Sequence, residues 1–465
     1  MLFNSAAFAI FLPVMLAVYW SLRGSARRWA LLLGSYFFYS WWDWRFTGLL
    51  LLSTVVDWVC ALAIDRRTDK TVRRWFLSVS VVANLGILAA FKYFNFFRDS
   101  AAAVFTALGV DAHLPILDVA LPAGISFYTF QAMSYTIDVY RGMKPERSLR
   151  DFALFVTCFP QLVAGPIVRA SDFLPQLVRD RRFEDVDLSG GIYRLFRGLF
   201  KKMVVADTLA VYVDAVFASP GDYPGFSAWI ALYAYAFQIY MDFSGYSDVA
   251  IGVGRLLGLR FAANFDRPYL ATSPSDFWHR WHITLSTWLR DYLYIPLGGS
   301  RLGKVLTVRN LFITMTLGGL WHGAAWTFVV WGVYHGTLLA VERWVRGDRP
   351  RTDERPQPAS YRALRIILMF HLTCFGWLLF RAPNWETVGV MVGRLLDFSG
   401  GEVRGLRVLL IVLACWIAHL QPIWKNVQER FARLPSFGQG ALAAMCMWTL
   451  LLLSPNARPF IYFQF

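Results

Sequence analysis

An all-α polytopic membrane protein is the fold class predicted for this chain, and three observations predict it. Hydrophobic residues fill 57% of the 465 positions and charged residues only 17%, against about 45–50% and about 25% in ordinary soluble chains. Apolar runs long enough to cross a hydrocarbon layer, about 20 residues each, recur along the sequence. The 20 Trp, 20 Tyr and 39 Phe exceed what core packing needs and suit rings held at headgroup level. Together these exclude an ordinary soluble enzyme, a disordered chain, a collagen and a coiled coil.

Runs near 3–20, 28–44, 46–64 and 75–94 read as the first four spans. The first has no basic segment before it and flows into further spans, so it is expected to be a retained helix and not a cleaved signal. Arg23, Arg27 and Arg28 follow the first run, and Arg66, Arg67, Lys70, Arg73 and Arg74 separate the third from the fourth. The positive-inside rule places both loops in the cytoplasm and the N-terminus outside. A span over 117–140 ends at Arg141, Lys144, Arg147 and Arg150, in agreement.

From 152 to 300 the apolar stretches are interrupted by Pro160, Gly165, Pro166, Pro268 and Pro274 and by basic clusters at 179–182 and 194–202. Broken or re-entrant helices are predicted there. Irregular backbone at membrane depth survives only inside protein or beside a water-filled cavity, which makes this region the place to look for a site. Long runs resume at 310–341, 361–381, 407–421 and 438–454, with the Pro- and charge-rich 342–358 and the basic 424–434 expected as inner loops. The whole of 1–465 reads as a single multi-pass domain, its tail 457–465 extracytoplasmic or tucked in from that side.

Lys and Arg outnumber Asp and Glu by 46 to 31, an excess that fits cytoplasmic loops beside anionic lipid better than a nucleic-acid footprint. Cys60, Cys158, Cys374, Cys415 and Cys446 are dispersed in apolar stretches without CxxC, so neither a disulfide framework nor a zinc cage is expected.

Ionisable groups inside membrane segments are functional hypotheses by default, which directs attention to the seven histidines. His113 falls in an outer loop, and His371 and His419 are lone residues in apolar helices, expected to pack. His322 stands in LGGLWHGAAWTFVVWG, where glycines on both sides allow close approach and the apolar surroundings favour the neutral imidazole a general base needs. His279 and His282 lie in DFWHRWHITLSTWLRDYLYIPLGGSR, where a metal must be weighed because HxxH spacing would put both rings on neighbouring helical positions. No HExxH, Cys partner or third carboxylate accompanies them, so no metal is expected. GVGRLLG at 252–258 misses the dinucleotide spacing, GxSxG and the P-loop are absent, and FSGYSD at 243–248 suggests only a polar kink.

Five segments carry a resemblance: LPAGISFYTFQAMSYTIDVYRG (121–142), FPQLVAGPIVR (159–169), QIYMDFSGYSDVAIGVG (238–254), DFWHRWHITLSTWLRDYLYIPLGG (276–299) and RNLFITMTLGGLWHGAAWTFVVWGVYHG (309–336). In these the chain resembles the membrane-bound O-acyltransferase (MBOAT) superfamily, specifically the bacterial branch of alginate O-acetylation and teichoic acid D-alanylation. The resemblance implies a helical bundle with re-entrant helices around a central tunnel, His322 as the catalytic histidine and His282 as the second active-site residue. It leaves His279 and His335 to packing. It also implies a cytoplasmic acyl thioester donor, acetyl-CoA, and a final acceptor outside, so that acyl groups cross the inner membrane to O-acetylate an exported polysaccharide. A periplasmic transferase is the partner implied.

Arg290, Arg301 and Lys304 are candidate contacts for the donor's diphosphate by charge alone. PFIYFQF resembles a motif of these bacterial systems that makes Tyr462 a candidate acyl carrier. Two rivals stand beside this reading: a transporter of lipid-linked sugar with no covalent chemistry, and an acyltransferase of the same fold that moves D-alanine or acylates lipid.

Overall fold

The computed structural model describes residues 1–111, 114–118, 120–163, 165–179, 181–347, 358–421, 423–453, 458, 460 and 461. These form helices and turns, without a strand among the described residues, as the apolar composition predicts. The first helices are α1 (Ala6–Ser21), α2 (Gly24–Ser40), α3 (Arg45–Arg66), α4 (Lys70–Leu88) and α5 (Phe94–Ala107), the last two joined through a π-helical turn at Ala89–Tyr93. Next come α6 (Ile125–Tyr140), α7 (Leu149–Thr157), α8 (Phe159–Leu162), α9 (Ala170–Val178) and α10 (Leu188–Leu199). A second π turn, Phe200–Ala206, leads into α11 (Asp207–Ala218) and the 32-residue α12 (Gly225–Leu256). Then follow α13 (Pro274–Arg280), α14 (Ile283–Leu289), α15 (Lys304–His322), α16 (Trp326–Arg346), α17 (Ala359–Arg381) and α18 (Trp385–Leu395). The described helices end with α19 (Leu406–Leu420), α20 (Ile423–Ala432) and α21 (Ser436–Leu453).

Among the described residues, three helices are long and apolar enough to cross a membrane: Arg45–Arg66, the continuous Lys70–Ala107 and Ala359–Arg381. A fourth is added if the bent pair α19 and α20 counts as one span. Other helices that the sequence suggests as spans are shorter or carry polar side chains, which a helix packed inside protein can tolerate.

Several boundaries differ from the sequence reading. The run at 117–140 is helical only from Ile125, because Pro115 and Pro122 hold the residues before them out of helical geometry and Gly124 turns the chain at φ 73°. FSGYSD at 243–248 is not a kink but part of the uninterrupted α12. The run at 310–341 is two helices broken at 323–325, and most of 424–434 is the helix α20. The end of the 342–358 connection, from 348 to 357, lies outside the described residues, as does His113.

Two compact units divide the chain, one of Met1–Gly191 with Ala250–Ala262, the other of Ile192–Val249 with Ala263–Phe465. The first is held together by polar contacts between apolar helices. Asp57 on α3 has no exposed surface, yet its carboxylate accepts from Asn84 Nδ2 of α4 at 2.9 Å on both oxygens, from Ser80 Oγ, and from Thr136 Oγ1 of α6 at 3.3 Å. Ser53 Oγ completes the cluster by donating to Asn84 Oδ1 at 2.9 Å. A buried polar group costs stability unless partnered, so this cluster also fixes the register of the three helices. A methyl group at Gly124 would stand 2.7 Å from the Leu162 carbonyl oxygen, so the start of α6 seats directly on α8.

The second unit is built on the hairpin of α15 and α16, whose backbones meet through small residues. A Cβ at Gly319 would lie 2.2 Å from Phe328 O, and one at Gly332 would lie 2.4 Å from Met315 O. Gly332 and Gly336 thus form a small-xxx-small seam that lets two helices touch without intervening side chains. Gly198 and Gly245 do the same for α10 and α12, each within 2.8 Å of the other's carbonyl oxygen once a Cβ is added.

Gly332→Leu should therefore cost at least the ~1–3 kcal/mol typical of overpacked cores, seen as a lowered thermal unfolding midpoint in detergent. Gly389→Ala on α18, where a methyl group meets nothing within 4 Å, should leave that midpoint unchanged.

Candidate active site

His282 occupies a break between two short helices. Ser273 caps the first of them by accepting from Asp276 N at 3.2 Å, Pro274 occupies its first turn, and α13 ends at Arg280. His282 then takes a left-handed backbone, φ 43°, one of two non-glycine residues with positive φ among those described. Such a conformation costs about 1–3 kcal/mol and persists only where its surroundings over-determine it.

Asn264 supplies that determination. Its main-chain oxygen accepts from Ile283 N at 3.0 Å, and its side-chain oxygen accepts from Thr284 N at 3.2 Å, Thr284 Oγ1 at 2.9 Å and His282 Nδ1 at 3.1 Å. Three donors converging on one atom identify it as the carbonyl oxygen of the amide. His282 therefore carries its proton on Nδ1 and its lone pair on Nε2. HxxH does not lie on one helix: His279 is in the last turn of α13, is exposed and directs Nδ1 to Ser275 O at 2.5 Å, while His282 is buried beyond the break.

His322 is the last residue of α15, at the tip of the glycine-packed hairpin. Added to Gly323, a Cβ would fall 2.1 Å from the Phe328 ring, so the chain leaves the helix against an aromatic wall. The His322 ring is 3% exposed and meets Trp321, Trp331 and Phe380 at centroid distances of 5.0, 5.1 and 5.3 Å. The two imidazoles come together with centroids 6.5 Å apart, and Phe243 of α12 sets its ring edge-on to His282 at 4.6 Å. Two residues 40 positions apart in sequence thus share one desolvated, aromatic-walled site.

His335, His371 and His419 have partners of their own. His335 stacks on Phe277 at 6.0 Å, His371 bridges Tyr233 Oη at 2.9 Å and Ile367 O at 2.8 Å, and His419 Nε2 accepts from Tyr269 N at 3.2 Å.

A cavity of about 230 Å³ approaches this site, lined by residues that include Trp278, Ile283, Thr287, Arg290 and Met315. A second cavity of about 210 Å³, whose charged lining residues are Glu342, Arg343 and Arg346, shares Ser275, Tyr294, Leu311 and Leu339 with it. Neither His282 nor His322 lines the first of these cavities. Ile283 adjoins His282 in sequence, and Trp278 packs on Trp331, which packs on His322.

Of the three basic residues expected at the donor's charged end, Arg290 lines the cavity. Arg301 and Lys304 are exposed and outside both linings. Arg343 and Arg346 line the second cavity. The sequence reading missed them because it assigned 342–358 to a loop, whereas both sit on the last turn of α16.

Behind the histidines lies a buried ion-pair network that joins FSGYSD to the basic cluster at 194–202. Lys201 and Lys202, consecutive in the π turn, reach Asp248 at 2.7 Å and Asp242 at 2.8 Å, and Arg194 holds Asp248 at 3.0 Å. Tyr462 lies outside the described residues; Ile461, immediately before it, donates its N–H to Asp242 Oδ2 at 2.7 Å.

Comparison with known proteins gives this geometry its family. A model of the membrane-bound O-acyltransferase family, MBOAT, matches residues 36–380, which include both helix breaks. The chain is 43% identical over 427 residues to the probable alginate O-acetylase AlgI of Pseudomonas syringae pv. tomato, covering 89% of this chain and 80% of that protein. It is 35% identical over 435 residues to the peptidoglycan O-acetyltransferase of Helicobacter pylori, covering 86% and 80%. With the teichoic acid D-alanyltransferase of Bacillus subtilis it shares 27% over 268 residues, covering 55% and 68%. An all-helical membrane chain matched over most of its length in this way belongs to the membrane-bound O-acyltransferase family and is an O-acyltransferase.

Proposed function

We propose that the chain is an O-acetyltransferase of the inner membrane, taking acetyl groups from cytoplasmic acetyl-CoA for the O-acetylation of an exported polysaccharide. The observation that carries this reading is the pairing of His282 and His322 at two helix breaks, 6.5 Å apart in a site walled by aromatic rings. Higher identity to proteins named as O-acetylating than to the D-alanyltransferase favours acetyl over D-alanyl cargo. A transporter reading leaves the paired imidazoles without a task.

Acyl transfer needs a base for the acceptor hydroxyl, a charge stabiliser and exclusion of water. His322 takes the hydroxyl proton as the alcohol oxygen attacks the thioester carbonyl. The tetrahedral intermediate collapses with cleavage of the C–S bond, and the departing thiolate recovers the proton from the imidazolium. The hydroxyl's single proton goes to His322, so His282, whose Nδ1–H is committed to Asn264 Oδ1, acts by shaping the site beside that base. It stabilises an oxyanion only after gaining a proton, so the charge-stabilising role falls to backbone N–H groups at the breaks.

The donor's charged end lies toward Arg343, Arg346 and Arg290, and its thioester arm follows the first cavity, displacing Trp278 or Ile283 to reach the histidines. With the positive-inside rule this end faces the cytoplasm. Tyr462 receives the acetyl group as an ester and hands it to a periplasmic transferase that modifies the polysaccharide.

In detergent-purified protein supplied with radiolabelled acetyl-CoA, His322→Ala should reduce transfer by roughly 10²–10⁴-fold, the usual worth of a general base, with folding intact by size exclusion. Unchanged transfer removes His322 from the mechanism. Covalent label trapped on the wild-type chain should map to the peptide containing Tyr462 and disappear in Tyr462→Phe; label that persists in that variant excludes the carrier role.

A further inference from the structure

The segment just before Tyr462 is fastened at three places to the second unit. Arg458 Nη1 pairs with Asp214 Oδ2 at 2.7 Å, and the other oxygen of Asp214 holds Arg381 Nη2 at 2.8 Å. The Phe460 ring, 1% exposed, packs on Tyr246 at 4.6 Å and on Phe243 at 5.4 Å. Ile461, 4% exposed, gives its N–H to Asp242 Oδ2 at 2.7 Å, while Lys202 Nζ lies 2.8 Å from Asp242 Oδ1 and 2.7 Å from Asp207 Oδ1.

These contacts form a chain of direct packing toward the histidines. Asp242 precedes Phe243, whose ring touches Phe460 on one side and stands edge-on to His282 on the other. A carboxylate at 3% exposure is costly to bury unless it is paired and its remaining lone pairs are used. Here one oxygen is used by Lys202 and the other by a main-chain amide of the segment. Recognition through the main chain is demanding in geometry: only the N–H at position 461 is read, and proline alone among the amino acids lacks it.

We propose that Asp242 is a positioning residue, which with Lys202 behind it clamps the segment immediately before Tyr462 through the Ile461 N–H. The clamp rests on the reading of Tyr462 as acyl carrier. It adds that self-acylation depends on a carboxylate remote from the acyl chemistry and on one backbone proton. Phe460 supplies the apolar contact that keeps the pair desolvated, and Arg458 with Asp214 fixes the direction of approach.

The test uses the full-length protein in nanodiscs and two variants, Asp242→Asn and Ile461→Pro. Hydrogen exchange of the peptide covering 458–463 reads the clamp directly and does not depend on acyl chemistry. Both variants should raise its exchange rate at least 10-fold, and wild-type rates in both overturn the clamp. Self-acylation from acetyl-CoA should fall at least 10-fold in both, while acetyl transfer to a small alcohol added in excess stays within 2-fold, a split that general destabilisation would not produce.

A synthetic peptide of residues 457–465 should be acylated in trans by Ile461→Pro and not by Asp242→Asn. Equal acylation by the two enzymes overturns the role of Asp242. If Tyr462→Phe retains the label while both variants raise exchange, the carrier reading fails and the clamp stands; if Tyr462→Phe loses the label while both variants self-acylate normally, the clamp fails and the carrier reading stands.

Discussion

The site depends on Asn264 satisfying a broken helix buried inside the protein. A bilayer offers no water to a freed N–H, so a break survives only where protein supplies the acceptor. Asn264 accepts four donors from three consecutive residues, His282, Ile283 and Thr284, two of them main-chain groups that a continuous helix would have bonded internally. The same interaction sets the tautomer of His282. Backbone satisfaction and the protonation pattern of His282 are therefore coupled through a single amide, and a change that loosened one would disturb the other.

The second break has a different origin. No capping side chain closes the hairpin around His322; instead glycines at 319, 332 and 336 bring α15 and α16 into backbone contact, and the reversal at 323–325 fits against Phe328. One imidazole is placed by a hydrogen-bonded turn and the other by close helix packing. The aromatic residues Trp321, Trp331, Phe243 and Phe380 fill the space around both rings and keep them desolvated.

Much of this was legible from residue pattern. The apolar runs foretold a helical membrane protein, and the glycines flanking His322 marked a place of close approach. Boundaries were less legible where tertiary packing overrides composition: α12 runs straight through FSGYSD because Asp248 is neutralised by Lys201 and Arg194, a pairing that links positions about 50 apart and leaves no local trace. Asn264 was invisible for a similar reason, being one asparagine in FAANFDRPY whose partners lie about 20 residues downstream. Arg343 and Arg346 were hidden by an apolar run that seemed to end too early. HxxH misled because its spacing implies a helix that the left-handed backbone of His282 interrupts.

The account turns on whether the paired imidazoles are where a thioester reacts. The most direct measurement is a cryo-EM structure of the protein in nanodiscs with a non-hydrolysable acetyl-CoA analogue. The account predicts the carbonyl mimic seated beside the His322 ring at the paired imidazoles, with Trp278 or Ile283 displaced and the diphosphate near Arg343 and Arg346. An analogue bound with its carbonyl elsewhere, and the aromatic wall around His322 still closed, would contradict it.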